Sequence, residues 1–387
     1  MTARVLLFQG LLLLVGGLVH ALVYLWAMDA FPRLRRYKKP FRAVLVVLVA
    51  LVPATRLVTS ATHAPIAAML YAFAAAEAMV VLFASFPIIV LRALGSRLGP
   101  PPAKDPAPTM MTRRQAVEGL GGLAVLGASA SVIGWGATRG RHAFVTEELV
   151  VRIAGLPKVL DGYVIGQVSD IHVGNFVQEH ELAEGLDRLR EVKADLIVVT
   201  GDLVDFDATY IPMMVRALAA LSARDGVKTI LGNHDYYAGA SKITAALEAA
   251  GIDSLVNAGR VIRAGDGGGF ALLGVDDAWG GRAGGPGPNL QRALDMVPAD
   301  APRILLSHQP STVDYWAGKV ALQLSGHTHG GQINPGFRPA DLFMRYVAGR
   351  YERNGTTLYV NRGFGVVGPP ARVGAPPEVT KIVLVSA

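Results

Sequence analysis

The sequence predicts an α/β domain of stacked mixed sheets with helices outside, preceded by apolar helices that cross a membrane. Long, nearly uncharged apolar runs fill the first 138 of its 387 residues. Beyond residue 145, short apolar runs alternate with stretches of helical spacing. The charge divides at the same place: residues 1–144 hold 15 Lys/Arg and 4 Asp/Glu, a net charge of +11, and residues 145–387 hold 22 and 26, a net charge of −4. We therefore expect a membrane region at 1–138 and a globular domain at 145–387.

Four apolar runs of the membrane region are long enough to span a bilayer. Between them, residues 31–42 carry six Lys/Arg and residues 92–114 carry five, around a Pro-rich linker at 99–110. Positively charged loops stay in the cytoplasm, so both basic segments are placed inside. We expect a multi-pass protein of the inner (cytoplasmic) membrane with its globular domain on the periplasmic or extracellular side. The candidate spans are residues 5–28, 43–61, 64–91 and 116–137.

Two features of the membrane region each have two interpretations. Thr112-Arg-Arg-Gln115 before an apolar run resembles a twin-arginine export signal, although residues 116–118 depart from the usual pattern. Under that interpretation the export machinery is a partner and Ala128-Ser-Ala130 is a candidate cleavage site; otherwise the two arginines are cytoplasmic anchors. Glu77, inside the third span, is either a relay or ligand group or a structural contact.

The globular domain begins with a lead-in strand region at 145–158, and a regular alternation follows. Apolar strands lead to Asp170, Thr200 and Leu231, and each is followed by a stretch of helical spacing. After Gly251 the pattern changes to shorter strands. The predicted helices lie near 177–192, 210–222, 240–250 and 290–296; strands include 270–275 and 379–385, and a Gly/Pro-rich loop covers 280–288.

Five apolar runs end in residues that can bind a metal. In open α/β sheets, ligands gather at the carboxyl ends of the strands, and a carboxylate buried there requires a cation. Glycines beside several of these residues allow tight turns. The outer side chains of His327-Thr-His329 point the same way if that segment is extended. The residues that follow the five strands are Asp170, His172, Asp202, Asn233, His234, Asp235, His308, His327 and His329.

The order of these motifs resembles the calcineurin-like metallophosphoesterase superfamily over residues 149–385. The motifs are Asp-x-His, Gly-Asp-x-x-Asp, Gly-Asn-His-Asp, a single histidine and Gly-His-x-His. Segments 358–365 and 377–379 are similar to a bacterial membrane-associated branch whose members are regarded as phosphodiesterases of lipid or cell-envelope phosphates. The resemblance implies a four-layer α/β/β/α sandwich and a metal-dependent phosphoric ester hydrolase.

The resemblance also implies a role for each motif residue. Asp202 would be shared by two divalent ions, for which Mn, Fe or Zn are expected and Mg is compatible. His234 would protonate the leaving group, and Asp235 would orient its ring and raise its pKa. Asp205 is expected to support the ligands, and the alternative is a loop residue without a role at the site. Asp170, His172 and His329 would bind one metal, and Asn233, His308 and His327 the other.

These roles predict a membrane-anchored phosphodiesterase that cleaves a lipid or envelope phosphoester by attack of a metal-bridging hydroxide. The alternatives are a phosphomonoesterase, a nucleotide pyrophosphatase, or a non-catalytic membrane sensor that binds a phosphorylated ligand. The acidic domain argues against a nucleic-acid partner, and the absence of cysteine excludes disulfides and thiolate metal sites. Arg362 would either bind substrate phosphate or form a structural ion pair.

Overall fold

The computed structural model describes residues 3–62, 65–99, 112–263 and 268–387. It divides into two compact units, one of residues 1–137 with 368–371 and one of residues 138–367 with 372–387. Apart from Gly99, the predicted Pro-rich linker lies outside the described residues.

The first unit is helical. Four of its helical segments are long and apolar enough to cross a membrane: Gln9–Ala30, Pro32–Thr59, Ile66–Gly95 and Arg113–His142. The second helix begins earlier than the sequence predicted, because the basic residues before Ala43 are themselves good helix formers. The helices are α1 (Ala3–Ala30), α2 (Lys38–Thr62), α3 (Pro65–Gly95), α4 (Arg113–Gln115) and α5 (Gly121–Thr138), with a π-helical turn at Ala116–Leu120 joining the last two.

Several ionisable side chains among the described residues of this unit are paired. The Glu77 carboxylate lies 3.1 Å from His20 Nε2, which gives it the structural contact that was one of its two interpretations. Arg92 Nη2 lies 2.6 Å from Asp29 Oδ2. Glu118 pairs with the second arginine of the Arg-Arg motif at 3.0 Å. Pairing of this kind is what an apolar surrounding requires of ionisable groups.

The first sheet of the second unit has six strands in the order β1-β12-β2-β3-β4-β5. Strands β2 to β5 are parallel, whereas β12 runs antiparallel to β2 and parallel to β1, so the sheet is mixed. The strands are β1 (Val145–Ile153), β2 (Tyr163–Val168), β3 (Leu196–Thr200), β4 (Val227–Ile230), β5 (Asp253–Ser254) and β12 (Glu378–Ser386).

The second sheet also has six strands, in the order β10-β11-β9-β8-β7-β6. Strands β7, β8, β9 and β11 are parallel, and antiparallel strands close both edges. The strands are β6 (Ala258–Arg263), β7 (Gly269–Gly274), β8 (Arg303–Leu306), β9 (Leu322–Ser325), β10 (Gly349–Arg353) and β11 (Thr356–Val360).

Strand β3 illustrates how the layers are held together. Leu196 and Val198 pack into a core that also contains Phe270 and Ile304 of the second sheet. Ile197 and Val199 point to the opposite face, into a core shared with helices. The alternation follows the two-residue period of a strand, and burial of both faces was predicted from its unbroken apolar run.

Helices cover the outer face of each sheet, so the predicted α/β/β/α sandwich is confirmed. Leucines of α6 and Met214 of α7 pack on the first sheet. Leu290 and Ala293 of α10 pack on the second. The helices are α6 (Glu179–Glu191), α7 (Ile211–Ala219), α8 (Asn233–Ala238), α9 (Ala240–Ala249), α10 (Leu290–Leu294) and α11 (Val313–Trp316).

Gly185 gives a test of helix packing against the first sheet. A Cβ at this position of α6 would lie 2.2 Å from Phe364 and 2.6 Å from Phe144, two rings that meet edge to face. We expect Gly185→Ala to destabilise the domain by about 2 kcal/mol through overpacking, although alanine favours a helix over glycine by about 1 kcal/mol.

Ala183→Gly, on the exposed side of the same helix, isolates the intrinsic helix preference. Scanning fluorimetry of the full-length protein in detergent should show a larger loss of melting temperature for Gly185→Ala than for Ala183→Gly. A melting temperature that rises in Gly185→Ala would contradict this packing.

Candidate metal centre

The carboxyl ends of strands from both sheets meet at one site. The carboxylate of Asp202, which follows β3 of the first sheet, has its Oδ2 atom 3.3 Å from Nε2 of His308, which follows β8 of the second. Both side chains are buried. The strand ends that the sequence pointed to therefore converge, as expected for the carboxyl edge of parallel strands.

A first group of donors is formed by Asp170, His172 and His329. Nε2 of His172 lies 3.0 Å from Nε2 of His329. The Nε2 atom of His329 also lies 3.5 Å from Oδ1 of Asp170. All three side chains are buried. The arrangement matches the set that the resemblance implied for one metal.

A second group is formed by Asp202, His308 and His327. Nδ1 of His327 lies 3.3 Å from Nε2 of His308, and Asp202 Oδ2 completes the group. The same Oδ2 atom lies 3.5 Å from Nε2 of His172, a member of the first group. Asp202 Oδ2 therefore lies within 3.5 Å of a histidine of each group.

Asn233 is the predicted ligand that opens helix α8. Its side-chain Oδ1 is buried and has no hydrogen-bond partner among the described residues. A buried polar oxygen without a partner is costly, and a cation would satisfy it. Together with imidazole and carboxylate donors, this oxygen fits Mn, Fe or Zn, so the residues present suit divalent metal ions.

The backbone of the site is strained. Of nine non-glycine residues with positive φ in the described part of the chain, five belong to the two groups: Asp170, His172, Asp202, His327 and His329. Such conformations cost on the order of 1–3 kcal/mol each and concentrate at functional sites. The condition that His327-Thr-His329 is extended is not met, since the two histidines have φ of 74° and 51°; each histidine belongs to a different group of donors.

Glycine is required beside three ligands because of space. A Cβ on Gly232 would lie 2.2 Å from Oδ1 of Asp202. One on Gly201 would lie 2.7 Å from Nδ1 of His308, and one on Gly326 would lie 2.2 Å from Oδ2 of Asp170. The glycines of the Gly-Asp, Gly-Asn and Gly-His motifs therefore let neighbouring loops approach the ligands.

Backbone groups hold the ligands in place. Nδ1 of His308 donates to the carbonyl of Thr200 at 2.8 Å, which leaves Nε2 directed at Asp202. The backbone N–H of His327 donates to the Asp170 carboxylate at 2.9 Å, and that of His234 donates to Asp202 Oδ1 at 2.8 Å. Such partners fix ring orientation and ligand geometry in metal sites.

Asp205, rather than Asp235, orients the ring of His234. Nδ1 of His234 donates to Oδ1 of Asp205 at 3.0 Å. Both oxygens of Asp235 instead accept from backbone amides, including Leu203 at 2.9 Å and Gly232 at 2.8 Å. The predicted orienting role of Asp235 is therefore wrong, because this carboxylate fixes two loops; the second Asp of Gly-Asp-x-x-Asp was the signal for the ring partner. The predicted effect on the pKa of His234 is confirmed: burial lowers that pKa, but the charges of Asp202, Asp205 and Asp235 together raise it above its usual range.

The electrostatics of the site favour an ionised Asp202. Burial raises the pKa of this carboxyl, but His308 and His234 outweigh burial and hold its pKa well below the usual range. Burial raises the pKa of Asp235 to about 7, with a further contribution from Asp202. Burial and the neighbouring His308 lower the pKa of His327 to about 4, so its ring is neutral, as a metal ligand must be.

Two arginines beside the site are part of its framework. Nε of Arg362 donates to Glu378 at 2.6 Å, and the guanidinium also pairs with Glu147. Arg372 is fully buried, and it donates to the carbonyls of Gly365 and Ala375. For Arg362, this supports the structural ion pair among its two interpretations. Arg372 belongs to no motif and therefore could not be anticipated from sequence.

Gly232 tests the close approach of these loops. In Gly232→Ala, the new methyl group would be forced against Asp202, so we expect at least about tenfold weaker Mn²⁺ binding and a lower melting temperature. Gly281→Ala is the matched control, because its Cβ would meet nothing nearer than 3.7 Å. Metal content after dialysis measures the effect, and equal content in the two variants would contradict the steric requirement.

Comparisons with known proteins show which family the chain is related to. A family profile described as Calcineurin-like phosphoesterase matches residues 163–331. The uncharacterized metallophosphoesterase YkuE of Bacillus subtilis is 33% identical over 289 residues, 71% of this chain and 98% of that protein. The uncharacterized metallophosphoesterase Cj0846 of Campylobacter jejuni is 28% identical, over 97% of both chains.

A further relative is itself named for a membrane region. The transmembrane protein with metallophosphoesterase domain of Bos taurus is 34% identical over 254 residues, 61% of this chain and 56% of that protein. This chain thus spans little more than half the length of that relative. With YkuE matched over nearly its whole length, the chain belongs to the calcineurin-like metallophosphoesterase family, whose members are metal-dependent phosphoester hydrolases.

Proposed function

We propose that the protein is a membrane-anchored phosphodiesterase that hydrolyses a lipid or cell-envelope phosphoester with two divalent metal ions. The observation that carries the proposal is the position of Asp202 Oδ2, 3.5 Å from His172 of one donor group and 3.3 Å from His308 of the other. One carboxylate between two sets of donors suits a pair of ions. Mn, Fe or Zn suits these ligands best.

The residues divide the work. When bound, the ions would supply a water of lowered pKa and would neutralise phosphate charge. Asp170, His172 and His329 would hold one ion, and Asn233, His308 and His327 the other, with Asp202 shared. His234 lies beside them, and its Nδ1 is engaged by Asp205. Its Nε2 is then the ring nitrogen available to donate a proton to the leaving oxygen.

The charge around the site favours a diester over a monoester. A phosphomonoester carries a second negative charge, which enzymes commonly meet with an arginine. Arg362 is held by Glu378 and Glu147, and Arg372 is held by backbone carbonyls. The charge of Arg362 is thus largely compensated by carboxylates and Arg372 is buried, so a monoanionic diester is the better match.

Aromatic side chains beside His234 favour a substrate with an apolar group. The ring of Phe206 lies 4.6 Å from that of His234 and stacks on Tyr237 at 5.6 Å between centroids. Phe206 is 41% exposed and Tyr237 is 47% exposed. Trp279 extends the group, 6.0 Å from Tyr237. An exposed aromatic surface at the proton donor suits a lipid leaving group.

The apolar helices suit an anchor in the cytoplasmic membrane. With the basic segments 31–42 and 92–114 inside, the domain would face the periplasm or the cell exterior. Membrane placement would keep the site close to lipid and envelope substrates. Arg113 and Arg114 serve either as cytoplasmic anchors or as a twin-arginine signal, and cleavage after Ala130 would distinguish the two by releasing the domain.

The proposal predicts metal-dependent diesterase activity. We expect the full-length protein in detergent, after chelation, to hydrolyse bis-p-nitrophenyl phosphate when Mn²⁺, Zn²⁺ or Fe²⁺ is returned, and to hydrolyse p-nitrophenyl phosphate more slowly. Turnover of the monoester alone would favour a phosphomonoesterase. Binding of phosphoesters without turnover, in folded and metal-loaded protein, would favour a sensor.

Two variants separate metal binding from proton transfer in this assay. Asp202→Asn should lose both bound metal and activity, because the shared carboxylate is removed. His234→Ala should keep its metal and lose about 10²–10⁴-fold in kcat, the usual contribution of a general acid. Full activity in either variant would contradict the assigned roles.

The aromatic surface predicts a preference that can be measured as a ratio. For Tyr237→Ser, we expect kcat/KM for a diester with a short-chain diacylglycerol group to fall about tenfold relative to kcat/KM for bis-p-nitrophenyl phosphate, since about 1.4 kcal/mol of apolar contact is lost. Tyr315→Ser, which removes another exposed tyrosine, should leave the ratio unchanged. An unchanged ratio in Tyr237→Ser would remove the aromatic support for a lipid substrate.

A further inference from the structure

We propose that residues 337–350 form a docking loop that inserts its apolar tip into the surface of an anionic lipid bilayer and so holds the catalytic rim at the headgroups. The inference rests on the proposed function, because it supplies the way in which a lipid phosphoester would reach the site. It concerns a different surface from the metal ligands and the aromatic group beside His234.

The tip of the docking loop exposes large apolar side chains. Phe343 is 88% exposed, Leu342 73% and Phe337 61%, and Met344 is 39% exposed. Leu342, Phe343 and Met344 stand at the end of a short 3₁₀ helix, Pro339–Leu342, where the loop turns. Contiguous exposed apolar residues of this size mark interaction sites rather than ordinary surface.

The charge of the docking loop opposes that of its domain. The loop, whose last two residues begin β10, contains three arginines and one aspartate, a net charge of +2, within a domain of net charge −4. The side chain of Arg345, next to the apolar tip, is 61% exposed and lies 3.8 Å from Asp314, and that of Arg350, 50% exposed, pairs with Glu352 at 2.8 Å. Exposed ion pairs of this kind are weak, so these guanidinium groups can exchange a carboxylate for a lipid phosphate. Apolar residues beside arginines suit the boundary between acyl chains and anionic headgroups, where guanidinium groups bind phosphates.

The base of the docking loop is fixed to the metal-ligand segment. Oγ1 of Thr328, between His327 and His329, donates to the carbonyl of Val347 at 2.5 Å. At the other end, Arg338 and Ala340 lie so close to Gly331 that a Cβ there would be 3.1 and 3.4 Å from them. A bilayer that held the tip would therefore hold the histidine segment as well.

Further contacts keep the base rigid while leaving the tip free. The hydroxyl of Tyr346 donates to Asp314 at 2.7 Å, and the N–H of Val347 donates to the hydroxyl of Tyr351 at 3.0 Å. Tyr346 and Val347 are buried, in contrast to the residues just before them. A rigid base with an apolar tip costs little ordering entropy when it binds.

A bilayer fits this surface better than a protein partner does. The same chain carries four helices that are long and apolar enough to span a membrane, so a tethered domain always has lipid within reach. The high local concentration favours a contact that would be too weak for a free protein. The positive charge of the loop selects anionic headgroups among lipids.

The chain contains no cysteine, which allows a site-specific test. Full-length Phe343→Cys, carrying a nitroxide spin label, would be placed in nanodiscs with anionic phosphatidylglycerol and, separately, with phosphatidylcholine alone. Val159→Cys is the control, because it is 63% exposed and precedes β2, at the opposite end of that strand from Asp170. The rates at which the spin label collides with a water-soluble nickel reagent and with oxygen report the depth of the label in the bilayer.

We expect the label at residue 343 to collide with nickel about fivefold less than the label at residue 159 in anionic nanodiscs, as for a side chain below the headgroups. Nickel access equal at both positions would overturn bilayer docking and point to a protein partner for the tip. Equal protection in both lipids would overturn the selection for anionic headgroups by the arginines.

Turnover of bis-p-nitrophenyl phosphate by the same samples tests the proposed activity separately. A protected label without turnover would support insertion of the docking loop and contradict the proposed phosphodiesterase activity. Turnover with an accessible label would support the phosphodiesterase activity and contradict insertion of the docking loop. A further sample carries the spin label at Met344→Cys together with the double substitution Leu342→Glu/Phe343→Glu. Loss of protection in this sample would show that the apolar side chains cause insertion.

Discussion

The buried carboxylate of Asp202 is the constraint on which the rest of the site depends. An anion removed from water costs several kcal/mol unless cations or donors surround it. In this fold, His308 and His172 lie within 3.5 Å of its Oδ2, and the N–H of His234 binds its Oδ1. These neighbours come from different loops and from both sheets. The four-layer sandwich can therefore be understood as the frame that brings them to one carboxylate.

That frame has to offset considerable local strain. Five residues of the two donor groups have positive φ, and each such residue costs on the order of 1–3 kcal/mol. The core between the sheets and the core under helices α6, α7 and α9 lie directly beneath the strained loops. Metal ions would add to this support, since ligands that converge without a cation repel or remain unsatisfied, as Asn233 Oδ1 does. Stability and metal loading are thus coupled in this domain.

The sequence predicted most of what periodicity and strand ends can encode. Strand β3 and the ligands after it followed from an unbroken apolar run that ends in Gly-Asp. What failed depends on loop geometry: His327 and His329 reach different groups through positive φ rather than through an extended segment. Asp235 was assigned to His234 by adjacency in sequence, but helix α8 turns its carboxylate to the backbone of Gly232 and Leu203. The burial of Arg372 and the exposure of Phe343 depend on tertiary packing, which cannot be predicted from composition or from motifs.

The apolar helices of the first unit are joined by specific internal contacts. A charged side chain among apolar helices is expensive unless a partner meets it. Three such pairs join different parts of the helical unit or lock its turns: Glu77 with His20, Arg92 with Asp29, and Glu118 with Arg114. Helices that act independently as anchors would not need ionisable residues whose burial costs free energy. The pairs therefore favour a helical unit of defined internal structure over a set of independent helices.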